Sequence, residues 1–194
     1  MPKLGMEPIR KAALVKATIA EIGQAGTLDV TVSQIARRAG MSTALAHHYF
    51  GGKEQIFLAA MRHVLSIFGA EVRGALAVSE GPKARAEAII RASFTAGNFR
   101  HDVISAWLNF YVLALTSPEA ARLLRVYQRR LDSNLRHELR QLAPDAVDEL
   151  TEGIAALIDG VYLRHALGSD GPTPARAVAP VLRFFRLALQ ERGL

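Results

Sequence analysis

The stretch that decides the fold is Thr31–Phe50, TVSQIARRAGMSTALAHHYF, which contains two short helical segments separated by a glycine. Thr31 is a suitable N-cap, and Gln34, three residues later, completes the pattern of a capping box. Gly40 suits the left-handed conformation that ends a helix, and Ser42 suits the cap of the next one. This spacing predicts a helix-turn-helix whose second helix runs to about Phe50 and fits a DNA major groove.

The second helical segment carries side chains suited to reading DNA. Thr43 and His47 lie four residues apart, share one helix face, and can form hydrogen bonds with base edges. Ala44 and Ala46 are small enough to allow close approach and to contact thymine methyl groups. The residues predicted to contact DNA are Thr31, Arg37, Arg38, Ser42, Thr43, Ala44, His47, His48, Tyr49 and Lys53.

Basic residues around this motif favour contacts with phosphate. Lys53 is expected to begin the next helix, where a cation and unpaired backbone N–H groups can bind a phosphate. Arg10, Lys11 and the pair Arg37–Arg38 can add to these contacts. Two other interpretations stay open, because alanine-rich helical pairs also occur without DNA binding and His47–His48 could bind a metal. Adjacent helical residues point about 100° apart, so both histidines serve one ion poorly and no metal site is predicted.

Charge is distributed unevenly along the chain. Its 194 residues include 24 Lys and Arg against 18 Asp and Glu, which gives a net charge of +6. Residues 1–62 alone carry +4, whereas residues 145–159 contain five acidic residues and no basic one. A basic N-terminal third permits an anionic partner, and its contrast with the near-neutral remainder indicates two parts with separate roles. The absence of cysteine excludes disulfides, thiolate metal sites and cysteine nucleophiles.

Helical spacing continues through the rest of the chain, and no segment has the alternation or hairpin turn typical of strands. Apolar residues recur every three or four positions, so an all-α fold is predicted; one such stripe is Ala86, Ile90, Phe94 and Gly97. Capping hydroxyls that precede a proline are predicted at Ser117 and Thr173. Further boundaries are predicted at Gly81-Pro82, at Ala143-Pro144 and at the loop Gly168–Pro172.

No segment is expected to cross a membrane. The longest stretch without charge, Val103–Pro118, contains polar residues and ends in a proline, whereas a spanning helix needs roughly 20 predominantly apolar residues. The N-terminal Met1–Glu7 lacks the apolar run of a signal peptide. We therefore expect a cytoplasmic protein without a membrane partner.

The helix-turn-helix resembles the DNA-binding domain of the TetR family of repressors. The resemblance is carried by Ala39–Thr43, by His48–Phe50 and by Lys53 with the apolar helix that follows it. It implies an all-helical homodimer in which three N-terminal helices read double-stranded operator DNA. The remaining helices would bind an inducer and form the dimer. The implied domains are residues 1–52, with the recognition motif at 31–50, and residues 53–194.

A narrower resemblance, to the choline-responsive repressors of glycine betaine synthesis within that family, covers nearly the whole chain. It is carried by the segments Met1–Met6, Ala106–Phe110, Arg130–Leu135 and Ala155–Arg164. It implies a repressor of choline-to-glycine-betaine genes, with choline as effector, no cofactor and no enzymatic activity. Tyr111 and Tyr162 stand where this group is expected to have tyrosine or tryptophan, so the cavity size could differ.

Aromatic and acidic residues in the C-terminal part could bind a quaternary ammonium ion. Trp107 and Tyr111 share a helix face with Phe110 beside them, and Asp159 and Tyr162 lie three apart on a later helix. Rings attract a permanent cation and a carboxylate supplies its countercharge. Asn109 or Tyr127 could bind the choline hydroxyl. The other interpretation is that these aromatics are plain core and that Asp159 pairs with Arg164.

The last two long helices, about 144–168 and 173–191, are predicted to form the homodimer as a four-helix bundle. Their apolar stripes are wide enough for internal packing and an interface; they are Leu150, Ile154, Leu157, Val161, and Val178, Val181, Phe185, Leu189. Two charged surfaces, the acids of residues 145–152 and an arginine stripe, are interpreted as solvated helix faces; the stripe is Arg122, Arg125, Arg129, Arg136 and Arg140.

Three alternatives to the choline-responsive repressor stay open. The first is a related repressor with another inducer, such as a drug or a lipid. The second is a helical enzyme, although the sequence has no phosphate-binding glycine loop and no HExxH motif. The third is a helical interaction module that does not bind DNA.

Overall fold

A computed structural model of the chain describes residues 5–168 and 173–194, and all regular structure in those ranges is helical. A 3₁₀ turn, Pro144–Ala146, precedes the eighth α-helix. The α-helices are α1 (Met6–Ala25), α2 (Val32–Arg38), α3 (Thr43–Phe50), α4 (Lys53–Ala77), α5 (Gly81–Ala92), α6 (His101–Ala114), α7 (Pro118–Leu142), α8 (Val147–Leu167) and α9 (Pro174–Gln190). Met1–Leu4 and most of the predicted loop Gly168–Pro172 lie outside the described residues.

Side-chain caps mark where helices α2, α3 and α7 begin. The capping box at Thr31 is confirmed, since its hydroxyl accepts from the Gln34 N–H and the Gln34 side chain accepts from the Thr31 N–H. Ser117 caps α7 by accepting from the Ala120 N–H, also as predicted. Thr173 precedes α9 but makes no side-chain cap, so that prediction was wrong. Pro174 still occupies the first turn, where a missing N–H costs nothing.

Two boundaries differ from the sequence-based predictions. Helix α5 ends at Ala92, so Phe94 and Gly97 do not continue its stripe, and the chain turns instead through residues 93–100. The segment after Ala143 forms a 3₁₀ turn before α8 rather than starting α8 directly. At the first boundary, apolar residues continue at helical spacing although the chain itself turns.

The first three helices pack around a small apolar core. Leu14 of α1, Ile35 of α2 and Ala46 of α3 are fully buried there. The core continues into α4 through Ile56 and Leu58, so these three helices rest on the start of α4. Burial of such side chains contributes roughly 1.5–3 kcal/mol each, which offsets the poor stability of helices as short as α2 and α3.

Helix α4 runs through the centre of the molecule and packs against α1, α5, α6 and α7. Among the described residues it is the helix whose length and composition would allow it to cross a membrane. Its apolar residues instead supply the protein core, including Phe57, Met61 and Val64.

Helix α6 joins the larger C-terminal part to α1. Gly23 of α1 lies against Asp102 at the start of α6 so closely that a Cβ atom there would approach the Asp102 Cβ to 2.3 Å. Two turns further along α6, the Asn109 amide donates to the Gly26 carbonyl over 3.2 Å. A displacement of α6 along its axis must therefore be transmitted to α1.

Helices α8 and α9 pack as an antiparallel pair, with the ring of Phe184 over Gly153. Most residues of the two predicted stripes, including Leu150, Ile154, Val181 and Phe185, are buried within the single chain. The apolar surface that these helices leave exposed consists of other residues, notably Leu163, Leu167 and Leu187. Of the predicted stripes, the half-buried Leu157 and Val178 are also left for an interface with a second copy.

Candidate DNA interface and effector site

The turn between α2 and α3 has the geometry that the sequence predicted. Gly40 has φ +68°, in the left-handed region that glycine adopts without strain. The N–H of Met41 donates to the Ala36 carbonyl over 2.9 Å, which closes the end of α2. Ser42 then caps α3 by accepting from the Leu45 N–H over 3.2 Å. These local bonds set the angle at which α3 leaves α2.

One face of α3 is open to solvent. Ala44, His47 and His48 are exposed, and Thr43 and Tyr49 are half-buried. Ala46 is fully buried in the core, so the prediction that it touches thymine methyl groups was wrong. Ala44 is the small residue that the exposed face offers to a base. The structure thus brings the predicted base-contacting side chains together on one surface.

His47 has a defined tautomer. Its Nδ1 lies 2.9 Å from the Gly51 carbonyl oxygen, which can only accept, so Nδ1 carries the proton. In the neutral ring Nε2 is then an acceptor that faces away from this bond. An acceptor in the major groove pairs with the amino group of adenine or of cytosine.

Basic residues of α1 hold Tyr49 at the edge of this face. The Lys11 ammonium lies 5.9 Å from the Tyr49 ring centroid, and Arg10 donates to the Tyr49 hydroxyl over 3.5 Å. Lys53 begins α4, as predicted, and its ammonium donates to the Leu28 carbonyl over 3.1 Å. Arg10 and Lys11 therefore lie beside Tyr49, at the edge of the exposed face of α3.

The two arginines that end α2 have different surroundings. Arg38 is bound to the carboxylate of Glu21 and the amide of Gln24, both on α1. Its charge is used within the protein to join α2 to α1, which corrects the prediction that it contacts phosphate. Arg37 is exposed, and its guanidinium makes no hydrogen bond or ion pair within residues 5–168 and 173–194, so it can bind a phosphate. Thr31 uses its hydroxyl in the capping box.

The predicted aromatic site is a packed cluster between α6 and α7. The Trp107 ring lies 5.7 Å from that of Tyr111 and 4.7 Å from that of Tyr127, centroid to centroid. Phe110 is fully buried, and its ring contacts both Trp107 and Phe57 of α4. Phe110 therefore supports Trp107 from the core. The rings touch one another, so a cation that sits among them must move them apart.

A carboxylate lies at the edge of this cluster. The Tyr111 hydroxyl donates to Asp159 Oδ1 over 2.8 Å, which joins α6 to α8. Asp159 pairs with Tyr111 and not with Arg164. Burial raises the pKa of Asp159 above its usual value, the Tyr111 hydrogen bond opposes this, and the nearby Asp132 carboxylate adds to the rise. Burial also raises the pKa of the Tyr111 and Tyr127 hydroxyls, so both stay protonated.

Tyr162 belongs to a neighbouring cluster. Its ring contacts Phe94 and Phe99, and its hydroxyl donates to the carbonyl oxygens of Ser93 and Asn98. The Asn98 amide in turn donates to Glu71 of α4. The structure therefore places Tyr162 as a link between α8, the turn after α5 and α4, without ring contact to Trp107.

Two residues of the aromatic site were missing from the predicted ligand-binding set. Tyr127, considered only as a partner for the choline hydroxyl, has the shortest ring-to-ring distance to Trp107. Its signal was its place four residues before Leu131, on the buried stripe of α7. Asp132 was not considered at all, because nothing local places it near Asp159. Asn109, the other expected hydroxyl partner, donates to the carbonyls of Gly26 and Ser105 instead.

Comparison with known families matches both parts of the chain. Residues 14–60 match the family described as "Bacterial regulatory proteins, tetR family". Residues 82–190 match "BetI-type transcriptional repressor, C-terminal". The first range contains the helix-turn-helix, and the second contains the aromatic cluster and Asp159.

Individual relatives extend these matches over the full length. The HTH-type transcriptional regulator BetI of Brucella anthropi is 50% identical over 97% of this chain and 98% of its own length. That of Agrobacterium fabrum is 47% identical over 98% of this chain and 93% of its own. A solved transcriptional regulator from Pseudomonas aeruginosa PAO1 is 26% identical with a TM-score of 0.78, covering 97% and 93% of the two chains. Another, from Saccharomonospora viridis in complex with choline, shares the fold at 21% identity and TM-score 0.78, covering 91% and 95%.

Proposed function

This chain belongs to the TetR family of helix-turn-helix transcriptional repressors, and we propose that it represses choline-to-glycine-betaine genes and takes choline as inducer. The observation that carries the proposal is the aromatic cluster around Trp107 with the carboxylate of Asp159 at its edge. The BetI name of the relatives and the choline bound to the S. viridis regulator support the choice of ligand. A DNA-binding regulator of this kind acts in the cytoplasm.

Choline offers this site a trimethylammonium group and a hydroxyl. The faces of Trp107, Tyr111 and Tyr127 attract the permanent cation, which aromatic rings bind without hydrogen bonds. Asp159, already close to Tyr111, supplies the countercharge. Tyr162, one turn after Asp159 on α8, packs with Phe94 and Phe99 in the neighbouring cluster and is left out of the proposed choline site.

DNA binding follows from the exposed face of α3. Two copies joined through α8 and α9 would present two such faces to a near-palindromic operator, with centres roughly 34–36 Å apart. Within each half-site, His47, Thr43 and Ala44 would meet base edges, while Arg37 and Lys53 bind phosphate. Domain limits at residues 1–52 and 53–194 fit this division, since α4 begins at Lys53.

Choline can act on DNA binding only if it prefers one arrangement of the helices over another. The rings of Trp107 and Tyr127 are in contact, so a ligand that enters between them must separate α6 from α7. Helix α6 is packed against α1 at Gly23 and Gly26. The turn after α6 is bound to α4, since Ser117 donates to Glu54 over 2.6 Å. A shift of α6 therefore changes how α1 and α4 hold the DNA-reading helices.

The test is a choline titration followed by the fluorescence of Trp107, the single tryptophan of the chain. Ethanolamine lacks the three methyl groups, and 3,3-dimethyl-1-butanol is the neutral isostere. We expect a saturable change with choline alone, and a matching change in affinity for an operator selected by the protein from random DNA. Trp107→Ala should keep operator binding but lose the effect of choline on operator affinity, with Trp107→Phe as the conservative control. Both variants lack the fluorophore, so operator affinity measured with and without choline is their readout. An equal response to the neutral isostere would favour another inducer.

A further inference from the structure

A second concave site lies between α4 and α7, on the outer side of the aromatic cluster. The groove has a volume of about 530 Å³, within the range of roughly 300–1,000 Å³ typical of small-molecule sites. Its floor is apolar and includes Phe68, Val72 and Tyr127. Phe68 and Tyr127 meet edge to face with centroids 5.6 Å apart, so they form a continuous wall.

The charged groups of this groove all have one sign. Arg62, Arg73 and Arg130 line it, and no carboxylate does. Arg62 is paired with Glu119 over 2.5 Å. Arg73 and Arg130 are exposed, and their guanidinium groups make no hydrogen bond or ion pair with any other residue in the described part of the chain. Two guanidinium groups without a countercharge, beside an apolar floor, give the groove a positive potential. Each can also donate two parallel hydrogen bonds to a carboxylate.

We propose that this groove binds a small amphipathic anion, a single carboxylate on an unbranched hydrocarbon chain. The carboxylate pairs with Arg73 and Arg130, and the chain lies along Phe68, Val72 and Tyr127. A quaternary ammonium ion is disfavoured here by the same arginines. The groove therefore selects the charge opposite to the one that the cluster around Trp107 and Asp159 selects.

Tyr127 connects the groove with the aromatic cluster. It lines the floor of the groove, and its ring packs 4.7 Å from that of Trp107. An anion in the groove therefore changes the surroundings of Trp107 without entering the cluster. The affinities for the anion and for a cluster ligand are then coupled, and the coupling must be equal in both directions.

The experiment is calorimetric titration of the full-length protein with decanoate, below its critical micelle concentration and without choline. The test variant combines Arg73→Gln and Arg130→Gln; the matched control combines Arg125→Gln and Arg129→Gln, which remove two exposed charges of α7 outside the groove. We expect one decanoate per chain, affinity weaker by roughly tenfold or more in the test variant, and no change in the control. Acetate and 1-decanol should each bind more weakly than decanoate. Circular dichroism checks that each variant is folded.

Three results would overturn the proposal: no binding by the wild type, equal binding by the test variant, or equal weakening by the two variants. The first result would mean that decanoate is not a ligand of this groove. The second would indicate non-specific apolar binding, and the third would indicate attraction by net charge alone. A further titration in saturating choline separates this site from the aromatic cluster. If the apparent Kd for decanoate keeps rising as choline increases, the two ligands compete and decanoate binds in the cluster. If the apparent Kd reaches a plateau, decanoate and choline bind at two coupled sites. The decanoate titration needs no choline, so failure of the proposed function does not affect it.

Discussion

At the scale of single residues, the hydrogen bond from Tyr111 to Asp159 directs a carboxylate toward the aromatic cluster. Burial raises the pKa of that carboxyl, so ionising it costs free energy, and a charge placed beside it changes its protonation. A permanent cation favours the ionised form. The groups that face Asp159 are Tyr111 of α6 and Asp132 of α7, and Asp132 acts in the same direction as burial.

We expect choline affinity to fall on acidification. Choline requires the Asp159 carboxylate, so binding is strongest above the Asp159 pKa and is lost as pH falls through it. Because that pKa is raised, the loss begins above about pH 3.9, the value of an unperturbed aspartate. Affinities measured between about pH 4.5 and 7.5 check this. Asp159→Asn should bind weakly at every pH, whereas Asp148→Asn, an exposed acid on the same helix, should keep the wild-type profile.

Two residues of the DNA-reading face should have separable effects. His47→Ala should reduce discrimination at one base pair by roughly 1–3 kcal/mol, because it removes the Nε2 acceptor. Lys53→Gln should weaken binding to all sequences. It should also reduce the steepness of a plot of log affinity against log salt concentration by about one. Binding to matched and single-mismatch operators at several salt concentrations measures both effects. If His47→Ala weakened all sequences equally, the assigned base contact would be wrong.

At the scale of helices, the contact between α1 and α6 joins the DNA-reading part to the rest of the protein. It depends on Gly23, which allows the backbone of α6 to approach α1 at Asp102. On the far side of α6, Trp107 and Tyr111 belong to the aromatic cluster. One helix therefore contacts both the proposed ligand and the DNA-binding domain.

Gly23→Ala should destabilise the protein by roughly 1–3 kcal/mol, because the added Cβ would lie 2.3 Å from the Asp102 Cβ and 2.5 Å from its Cα. The matched control is Gly74→Ala in α4, where a Cβ would meet nothing within 4 Å. There the better helix propensity of alanine should stabilise by about 0.5–1 kcal/mol. Urea unfolding monitored by circular dichroism measures both. Opposite signs are expected, and a stabilising Gly23→Ala would contradict the close contact.

At the scale of the whole molecule, we propose that a second copy binds to the surface of α8 and α9. Leu163 and Leu187 are 49% and 46% exposed, and Leu167 is 76% exposed. Leucines exposed along neighbouring helices are typical of an interface that is buried in the dimer. A two-fold dimer through this surface would keep the two copies of α3 at a constant distance and orientation.

Leu163→Asp combined with Leu187→Asp should convert a dimer into monomers, because each substitution would bury a carboxylate in the interface. Operator affinity should fall by roughly a hundredfold or more, since the two half-sites would no longer be bound by one linked protein. Sedimentation velocity and operator titration measure the two effects. Leu115→Asp, at an 83% exposed residue of the turn after α6, is the control that should change neither. A variant that remains dimeric would locate the interface elsewhere.

Amino-acid order alone determined the features that depend on near neighbours. The capping box of Thr31 and Gln34, the left-handed Gly40 and the cap at Ser42 could all be predicted, because their hydrogen bonds span three or four residues. The repeat of apolar residues likewise predicted an all-helical chain. These features were enough to predict the helix-turn-helix and its exposed reading face.

Tertiary structure decided which helix faces meet, and with them the partners of several side chains. Arg38 binds Glu21 on α1, and Ala46 lies on the buried face of α3, although both had been expected at the DNA surface. Tyr127 and Asp132 join the aromatic site, while Tyr162 packs with Phe94 and Phe99. These contacts span many residues along the chain and depend on how far each helix is rotated and shifted against its neighbours. That arrangement follows from packing the whole core at once, so no local pattern in the sequence contains it.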